Sequence, residues 1–199
     1  MNVITVLLLN LPKGSVLVVG GNSGAQIAVE LAKQRDVTLA ISHPFRFLPL
    51  QFGSQSIFKW LELVGLLYAG IDTRRGQWFK NQSDPIFGYE LKKLISNGIV
   101  NLKEKVVQVK GKEVLFQNRD KQKYDVFIWA TGFIPSYDWI TIEGVISSIG
   151  MPIHKRGVSS IDSLYFIGLP WQYQRGSALI CSVGRDAAYL IPHLFNIKI

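Results

Sequence analysis

The chain has 199 residues, of which 48% are hydrophobic and 18% charged, and its mean hydropathy of +0.19 is high for a soluble protein. No apolar run reaches the roughly 18 residues of a membrane-spanning helix, so we expect no membrane span and infer that the excess apolar surface contacts something outside this chain. The net charge of +8 comes from scattered Lys and Arg residues, which argues against nucleic-acid binding. The single cysteine, Cys181, excludes an internal disulfide and is typical of a cytoplasmic protein.

The first predicted element is a strand, a glycine-rich turn and a helix. The strand residues Val16 to Val19 are all apolar, which is typical of a central parallel strand covered on both faces. The helix that follows has a buried face at the spacing i, i+3, i+4, i+7, formed by Gly24, Ile27, Ala28 and Leu31. This order predicts a dinucleotide-binding unit, in which main-chain N–H groups at the helix start approach a pyrophosphate and the helix dipole favours its charge.

The glycine turn is incomplete. Counted back from Gly24 and Gly21, the fingerprint G-x-G-x-x-G requires a glycine where this chain has Val19. In one interpretation Val19 occupies the first glycine position, where a β-branched residue fits the tight turn poorly. In the other, which we favour, the turn has lost a residue and the strand is shifted by one position. A glycine turn that binds no nucleotide is the alternative on spacing alone.

The second predicted strand, Val37 to Ile41, ends at the position where a dinucleotide-binding protein distinguishes NAD from NADP. A site for NAD has an Asp or Glu about 20 residues past the glycines, to bind the ribose 2′-hydroxyl. This chain has Ser42 and Arg46 in that region and no carboxylate. Because a guanidinium pairs well with a phosphate, the sequence favours NADP, unless Arg46 is an ordinary surface arginine.

The remaining predicted elements follow in chain order. They are a helix from Ser56 to Leu67, a long loop over 71–88 able to cover a ligand, a helix from Tyr89 to Asn97, a β-hairpin of 106–109 with 113–116, a strand from Tyr124 to Trp129, a strand from Leu164 to Ile167 and a helix over 183–194 whose inward face includes Ala187, Leu190 and Ile191.

Three motifs together carry a family resemblance: the glycine turn at 20–24, the strand end Ala-Thr-Gly-Phe at 130–133, and Leu-Tyr-Phe-Ile-Gly at 164–168. The chain resembles the flavin-containing monooxygenases over residues 14–194. It is most similar to the bacterial FAD/NADP-dependent flavoproteins named for an association with cation-diffusion transporters. The resemblance implies an α/β fold with a Rossmann-like NADP-binding domain over 14–134, consisting of a parallel sheet with helices and a β-hairpin layer. The C-terminal part of an FAD-binding domain would follow over 135–199, and residues 1–13 would be an atypical N-terminal segment.

The same resemblance implies which residues bind cofactors. The NADP pyrophosphate would be held by Gly20, Gly21, Asn22, Ser23 and Gly24. The 2′-phosphate would be held by Ser42 and Arg46, and the nicotinamide would pass beside Ala130, Thr131 and Gly132. Gly168 would border the flavin together with Gly184, Arg185 and Asp186, although Asp186 is equally explained as a helix cap. We assign no catalytic residue and no metal ligand, because the flavin carries the chemistry.

The family's first G-x-G-x-x-G, which binds the ADP part of FAD, has no counterpart here. We therefore expect NADP as the cofactor and FAD only when an FAD-binding half is supplied. The whole enzyme would transfer hydride from NADPH to FAD, activate O2 and oxygenate a small molecule. Two alternatives are a stand-alone NADP-binding module or sensor and a truncated product without function. We also expect that the absent half leaves an exposed apolar surface that drives association with that half or with a second copy, centred on Tyr165, Phe166, Trp171 and the helix near Leu190.

Overall fold

The computed structural model describes residues 11–195, so residues 1–10 of the predicted N-terminal segment lie outside the described residues. The chain divides into two compact units. Unit one consists of residues 11–50 and 83–133, and unit two of residues 51–82 and 134–195.

Five helices and thirteen strands, many of them short, occur within the described residues. In chain order they are β1 (Val16–Gly20), α1 (Asn22–Leu31), β2 (Val37–Ala40), β3 (Phe47–Leu48), β4 (Gln51–Phe52), β5 (Gln55–Ser56), α2 (Ile57–Leu63), α3 (Arg74–Lys80), β6 (Ile86–Phe87), α4 (Glu90–Ser96), β7 (Val100–Lys103), β8 (Val106–Lys110), β9 (Glu113–Phe116), β10 (Lys121–Lys123), β11 (Val126–Ala130), β12 (His154–Lys155), β13 (Val158–Ser159) and α5 (Val183–Leu194).

Unit one is built on a four-stranded parallel sheet with the strand order β11-β1-β2-β7. Alternate residues of β1 face opposite layers, as the period of two in a strand requires. Val16 and Val18 pack in one cluster with residues of α1 and α4, whereas Leu17 packs in a second cluster with Val114 and Phe116 of the β8-β9-β10 layer. Both faces of β1 are therefore covered, and the α/β class with a parallel sheet is confirmed.

Several elements of unit one follow the sequence prediction closely. Strand β1, helix α1 and strand β2 are present, and the hairpin forms from β8 and β9. Gly24, Ala28 and Leu31 of the predicted helix face are buried, while Ile27 is half-buried. Strand β7 was not predicted, because its sequence Val-Asn-Leu-Lys has two polar residues and lacks the continuous apolar run of β1.

Other predicted elements differ from the structure. The predicted loop over 71–88 contains α3, whose amino end is capped by Thr73 through a hydrogen bond from the Gly76 N–H at 3.0 Å. The helix predicted from Ser56 to Leu67 is shortened to α2 and buries none of its residues. The strand predicted from Leu164 to Ile167 is wrong, because a strand needs a paired neighbour and this segment has only an isolated bridge from Tyr165. Helix α5 is confirmed, although Ile191 of its predicted inward face is exposed.

Unit two has a core in which polar side chains are prominent. The Gln172 side-chain amide donates to the Phe166 carbonyl oxygen at 2.9 Å, and Gln174 donates to the Ser182 hydroxyl at 2.7 Å. The Ser177 hydroxyl accepts main-chain N–H groups of two neighbouring residues. Because these buried groups are hydrogen-bonded, they hold the irregular loops of the unit without the cost of unsatisfied polar atoms.

The predicted exposed surface is present only in part: Phe166 and Leu190 are buried inside unit two, whereas Ile191 and Leu194 of the helix near Leu190 are exposed. Tyr165 and Trp171 are half-buried. Large apolar side chains are also exposed elsewhere in the described chain. The most exposed are Phe133, Ile134, Trp139, Ile149 and Ile180.

Candidate functional site

A cleft of about 660 Å³ lies in unit one at the carboxyl ends of the parallel strands. It is lined by the end of β1 and the start of the turn, by Ala40 of β2 and the following residues 41–43, by residues 105–109, and by Trp129 and Thr131. Of the residues predicted to bind NADP, the cleft brings together Gly20, Gly21, Ser42 and Thr131. Ligands of open parallel sheets bind at this edge, because loops from several strands meet there.

The turn between β1 and α1 is tight because two main-chain segments approach closely. Gly20 is paired with Ala130 in the parallel ladder, and a Cβ atom at Gly20 would collide with the Ala130 carbonyl oxygen. Val19 lies inside β1 in register with Trp129. The connection to α1 therefore consists of Gly21 alone, which is the N-cap residue.

The amino end of α1 opens toward solvent at Gly21. A Cβ atom at Gly21 would meet no atom within 4 Å, and no side chain caps this end of the helix. The Ala25 N–H donates to the Gly21 carbonyl oxygen at 2.9 Å, so the N–H groups of residues 22–24 precede the helical hydrogen-bond ladder. With no acidic residue in the first turn, this helix end is suited to an anion.

The other three residues of the predicted pyrophosphate site have different surroundings. The Asn22 side chain donates to the Pro85 carbonyl oxygen at 3.2 Å and lines a second cavity of about 300 Å³. Ser23 is exposed. Gly24 is buried, and a Cβ atom there would meet Val18 at an ordinary contact distance of 3.5 Å. The Asn22 side chain is thus engaged with Pro85, and the groups at the helix start that remain for an anion are the main-chain N–H groups and the exposed Ser23.

At the end of β2, Ser42 and His43 both line the cleft, and their Oγ and Nδ1 atoms are 3.0 Å apart. Arg46 is exposed and does not line the cleft. Its main-chain carbonyl oxygen accepts the Ile86 N–H at 2.8 Å, where β3 pairs with β6. The structure thus brings Ser42 to the cleft and leaves Arg46 outside its lining.

Residues 130–133, at the end of β11, lie on the side of β1 away from β2, next to Gly20. Ala130 is its ladder partner, Thr131 lines the cleft, and Gly132 has a positive φ of 87° with open space where a Cβ atom would lie. Phe133, the next residue, is fully exposed. The positive φ and the open space at Gly132 would permit a ligand to approach the main chain closely there.

The four residues assigned to the flavin belong to unit two. Gly168 has a positive φ of 81°, and both it and Gly184 have open space around the position of a Cβ atom. The Arg185 guanidinium lies 3.5 Å from the centre of the Tyr68 ring. Asp186 is completely buried, with its Oδ1 atom 3.6 Å from Nε of Arg156.

Asp186 is not a helix cap. Its two carboxylate oxygens accept no hydrogen bond from the described residues, and the N-cap of α5 is Ser182, whose side chain makes no capping hydrogen bond. The buried carboxylate instead faces the guanidinium of Arg156. This guanidinium lies between the rings of Tyr173 and Tyr189, at 3.9 and 4.2 Å from their centres.

Sequence reasoning missed Lys105 and the hairpin residues that line the cleft beside it. Lys105 follows β7, which pairs with β2 so that Lys103 lies opposite Ala40. Because β7 is a parallel neighbour of β2, its carboxyl end lies at the same edge of the sheet as that of β2, a relationship that no single sequence segment contains. Lys105 then falls beside Ser42.

Residues 11–195 offer no site for a metal ion built from side chains of the usual kinds. No group of three or more His, Cys, Asp or Glu side chains in this range could hold one. No helix in the same range combines the length and the apolar character needed to cross a membrane.

Curated proteins similar to the chain are oxidoreductases. It is 50% identical over 187 residues to an uncharacterized CzcO-like oxidoreductase of Geobacillus kaustophilus (strain HTA426), covering 94% of this chain and 54% of the relative. It is 46% identical over 182 residues to the uncharacterized oxidoreductase CzcO of Bacillus subtilis (strain 168), covering 91% of this chain and 53% of the relative. The chain therefore spans about half the length of the curated relatives it matches. No family model matches it.

Among solved structures, a mutant flavin monooxygenase from Stenotrophomonas maltophilia matches with a TM-score of 0.67 and 17% sequence identity. The match covers 95% of this chain and 52% of the monooxygenase. At this identity the likeness concerns the fold. Together with the relatives, it confirms the resemblance inferred from the three sequence motifs.

Proposed function

From its relationship to the CzcO-type oxidoreductases, we propose that this chain is the NADPH-binding part of a flavoprotein monooxygenase. The observation that carries the proposal is the cleft at the carboxyl ends of β1, β2 and β11, with the open amino end of α1 at Gly21. In this proposal residues 14–134, apart from the segment 51–82 that belongs to unit two, form a Rossmann-like NADP-binding domain, and residues 135–199 form the C-terminal part of an FAD-binding domain. The activity of the whole enzyme requires a complementary part that supplies the remaining FAD site.

The residues of the cleft fit a dinucleotide. A pyrophosphate at the start of α1 would meet main-chain N–H groups of residues 22–24, and Gly21 leaves room for its oxygens. Ser42 would lie near the ribose, because the ribose of a dinucleotide lies past the end of the second strand. Thr131 and Gly132 would border the nicotinamide, where a glycine permits a close approach of main chain to ligand.

The four residues assigned to FAD fit less completely. Gly168 and Gly184 leave open space in which a ligand could approach the main chain. Asp186 is enclosed by its own unit and paired with Arg156, so it does not fit a direct contact with a flavin. When bound, a flavin would supply the redox chemistry, and the residues of this chain would bind and orient the nucleotide that reduces it.

A second candidate function is a stand-alone NADP-binding module. It is favoured by one observation: the parallel sheet of unit one is already covered on both faces by residues of this chain. Such a module would bind NADPH but would need no complementary part.

Titration of the full chain with NADPH and with NADH by calorimetry tests the nucleotide site. We expect binding of NADPH in preference to NADH. A chain that is folded by circular dichroism and binds neither nucleotide would contradict both candidates.

A complementation assay separates the two candidates. The portion of the Geobacillus kaustophilus relative that this chain does not cover is produced separately and mixed with the chain, FAD and NADPH. We expect NADPH consumption, followed at about 340 nm, only in the complete mixture, because the nicotinamide carries that absorbance. Samples without the chain or without the complementary portion are the controls. If the chain binds NADPH but the complete mixture shows no consumption above these controls, the module is favoured.

A further inference from the structure

The cleft has a cation-bearing corner where β2 and β7 end side by side. Ala40 and Lys103 are ladder partners, and the Ile41 N–H donates to the Lys103 carbonyl oxygen at 3.1 Å. Two residues beyond each strand end, Ser42 and Lys105 both line the cleft. His43 lies beside Ser42, with its Nδ1 atom 3.0 Å from the serine hydroxyl.

Lys103 and Lys105 have different roles although they are two residues apart. The Lys103 ammonium is 2.5 Å from Asp120 and lies 5.9 Å from the centre of the Phe116 ring, so its charge is neutralised within the protein. Among the described residues, Lys105 forms no ion pair, while its main-chain carbonyl oxygen accepts the Gln117 N–H at 2.9 Å. The main chain of Lys105 is thus fixed, and its ammonium is available to a ligand.

The charged side chain that lines this corner is positive, and no negative side chain in the described part of the chain accompanies it. Among the described residues that line the cleft, Lys105 is the only lysine or arginine, and none is an aspartate or glutamate. Arg46, which sequence analysis assigns to the 2′-phosphate, lies outside the lining. A phosphate entering this corner would therefore meet one ammonium, one hydroxyl and one imidazole.

We propose that Lys105, together with Ser42 and His43, recognises the 2′-phosphate of NADP and sets the preference for NADPH over NADH. This inference rests on the proposed function, because it concerns the same nucleotide site. An ammonium attracts a phosphate as a point charge and does not need the two-pronged geometry of arginine. The hydrogen-bonded pair of Ser42 and His43 keeps one donor for a phosphate oxygen: the imidazole Nε2–H when the hydroxyl donates to Nδ1, or the hydroxyl O–H when Nδ1–H donates to the hydroxyl.

The test compares three single variants with the unmodified chain in calorimetric titrations with NADPH and NADH. Lys105→Gln removes the cation of the corner. Lys110→Gln is the matched control, because it removes the same charge at the end of β8 from a residue outside the cleft lining. Arg46→Gln tests the alternative cation. Circular dichroism and thermal unfolding establish that each variant is folded.

For Lys105→Gln we expect NADPH affinity to fall by about tenfold or more with NADH affinity unchanged, as for the loss of one charge-assisted contact. Lys110→Gln and Arg46→Gln should keep the preference. The inference is overturned if Lys105→Gln retains it, or if Arg46→Gln alone abolishes it, while the proposed function stands in both cases. If the unmodified chain binds neither nucleotide, the inference and the proposed function both fail.

Discussion

The buried carboxylate of Asp186 and the guanidinium of Arg156 face each other at 3.6 Å without a hydrogen bond between them. Asp186 is completely buried, whereas about a quarter of the Arg156 side chain remains accessible to solvent at 26%. The two charges therefore compensate each other only through their electrostatic attraction. Because the carboxylate has no other partner in the described chain, its burial depends on the arginine.

This asymmetry predicts unequal effects of single substitutions. Arg156→Gln leaves a buried carboxylate without its counter-charge and should lower the free energy of unfolding by roughly 3–5 kcal/mol. Asp186→Asn leaves the Arg156 guanidinium with a buried Nε atom, but its side chain is partly exposed and contacts two tyrosine rings, so the effect should be smaller. Urea unfolding followed by circular dichroism measures both. An equal or larger loss for Asp186→Asn would contradict the asymmetry.

A second prediction separates the structural and binding roles of the two turn glycines. Gly20→Ala places a methyl group against the Ala130 carbonyl oxygen and should lower stability by about 1–3 kcal/mol, as other overpacking substitutions do. Gly21→Ala meets no protein atom within 4 Å, so stability should be nearly unchanged. Its methyl group would instead occupy the proposed pyrophosphate position and weaken NADPH binding. Thermal unfolding and NADPH titration of both variants test this, and a stable Gly20→Ala protein would refute the first half.

A third prediction concerns pH. Burial lowers the pKa of His154 below its usual value of 6.5, and its Nδ1 atom accepts the Gly157 N–H at 3.1 Å, which requires a deprotonated nitrogen. Below pH 6.5 the unfolded chain takes up a proton that the folded state resists, so the free energy of unfolding should fall until the lowered native pKa is reached.

His154→Gln should remove this part of the pH dependence. Urea unfolding at about pH 7.5 and about pH 5.5 measures the difference in stability between the two conditions. His193→Gln, in the last turn of α5, is the matched control for loss of an imidazole elsewhere in unit two. A His154→Gln protein with an unchanged slope would show that another group titrates.

The shortened glycine turn gives a fourth prediction. One glycine inserted between Gly20 and Gly21 lengthens the single-residue connection and should strengthen NADPH binding, because the N–H donors must reach the pyrophosphate at hydrogen-bond distance. Without the complementary part, the protein that carries the inserted glycine should still consume no NADPH when FAD is added. An insertion after Gly111, at the tip of the β8-β9 hairpin, is the control for a general effect of lengthening the chain. Weaker binding after the first insertion would favour the interpretation in which Val19 occupies the first glycine position.

A fifth prediction concerns flavin. The described residues contain one strand–glycine turn–helix unit on a parallel sheet, and our proposal assigns it to NADPH. The purified chain should therefore be colourless. A stoichiometric absorbance band at about 450 nm, which belongs to oxidised flavin, would show that the chain alone completes an FAD site.

The elements that sequence analysis predicted correctly are those whose local pattern and tertiary environment agree. Val16 to Val18 are apolar and buried on both faces, and α5 begins and ends where its periodicity indicates. Strand β7 was missed because its buried residue Val100 is followed by alternating polar residues, and its position depends on pairing with β2. The pattern of a single segment does not contain that pairing.

The residues that line the candidate site were likewise predicted only in part. Residues adjacent in sequence, such as Gly20 and Gly21, were identified because the turn itself has a recognisable spacing. Lys105 was missed because its place in the cleft depends on the pairing of β2 with β7, two strands that are far apart in the sequence. Asp186 was assigned to a ligand or a cap, whereas its surroundings depend on Arg156, thirty positions earlier, and on two tyrosine rings.

The strand order β11-β1-β2-β7 has a consequence for synthesis of the chain. Val16 pairs with Val37 on one side and with Val126 on the other. The edge of β1 that pairs with β11 therefore stays unpaired during synthesis until most of unit one has left the ribosome. At a translation rate of about 5–20 residues per second, that wait is on the order of ten seconds. An apolar strand with an open edge can recruit other unfinished chains, so the yield of folded protein should rise when chaperones or low temperature protect the nascent sheet.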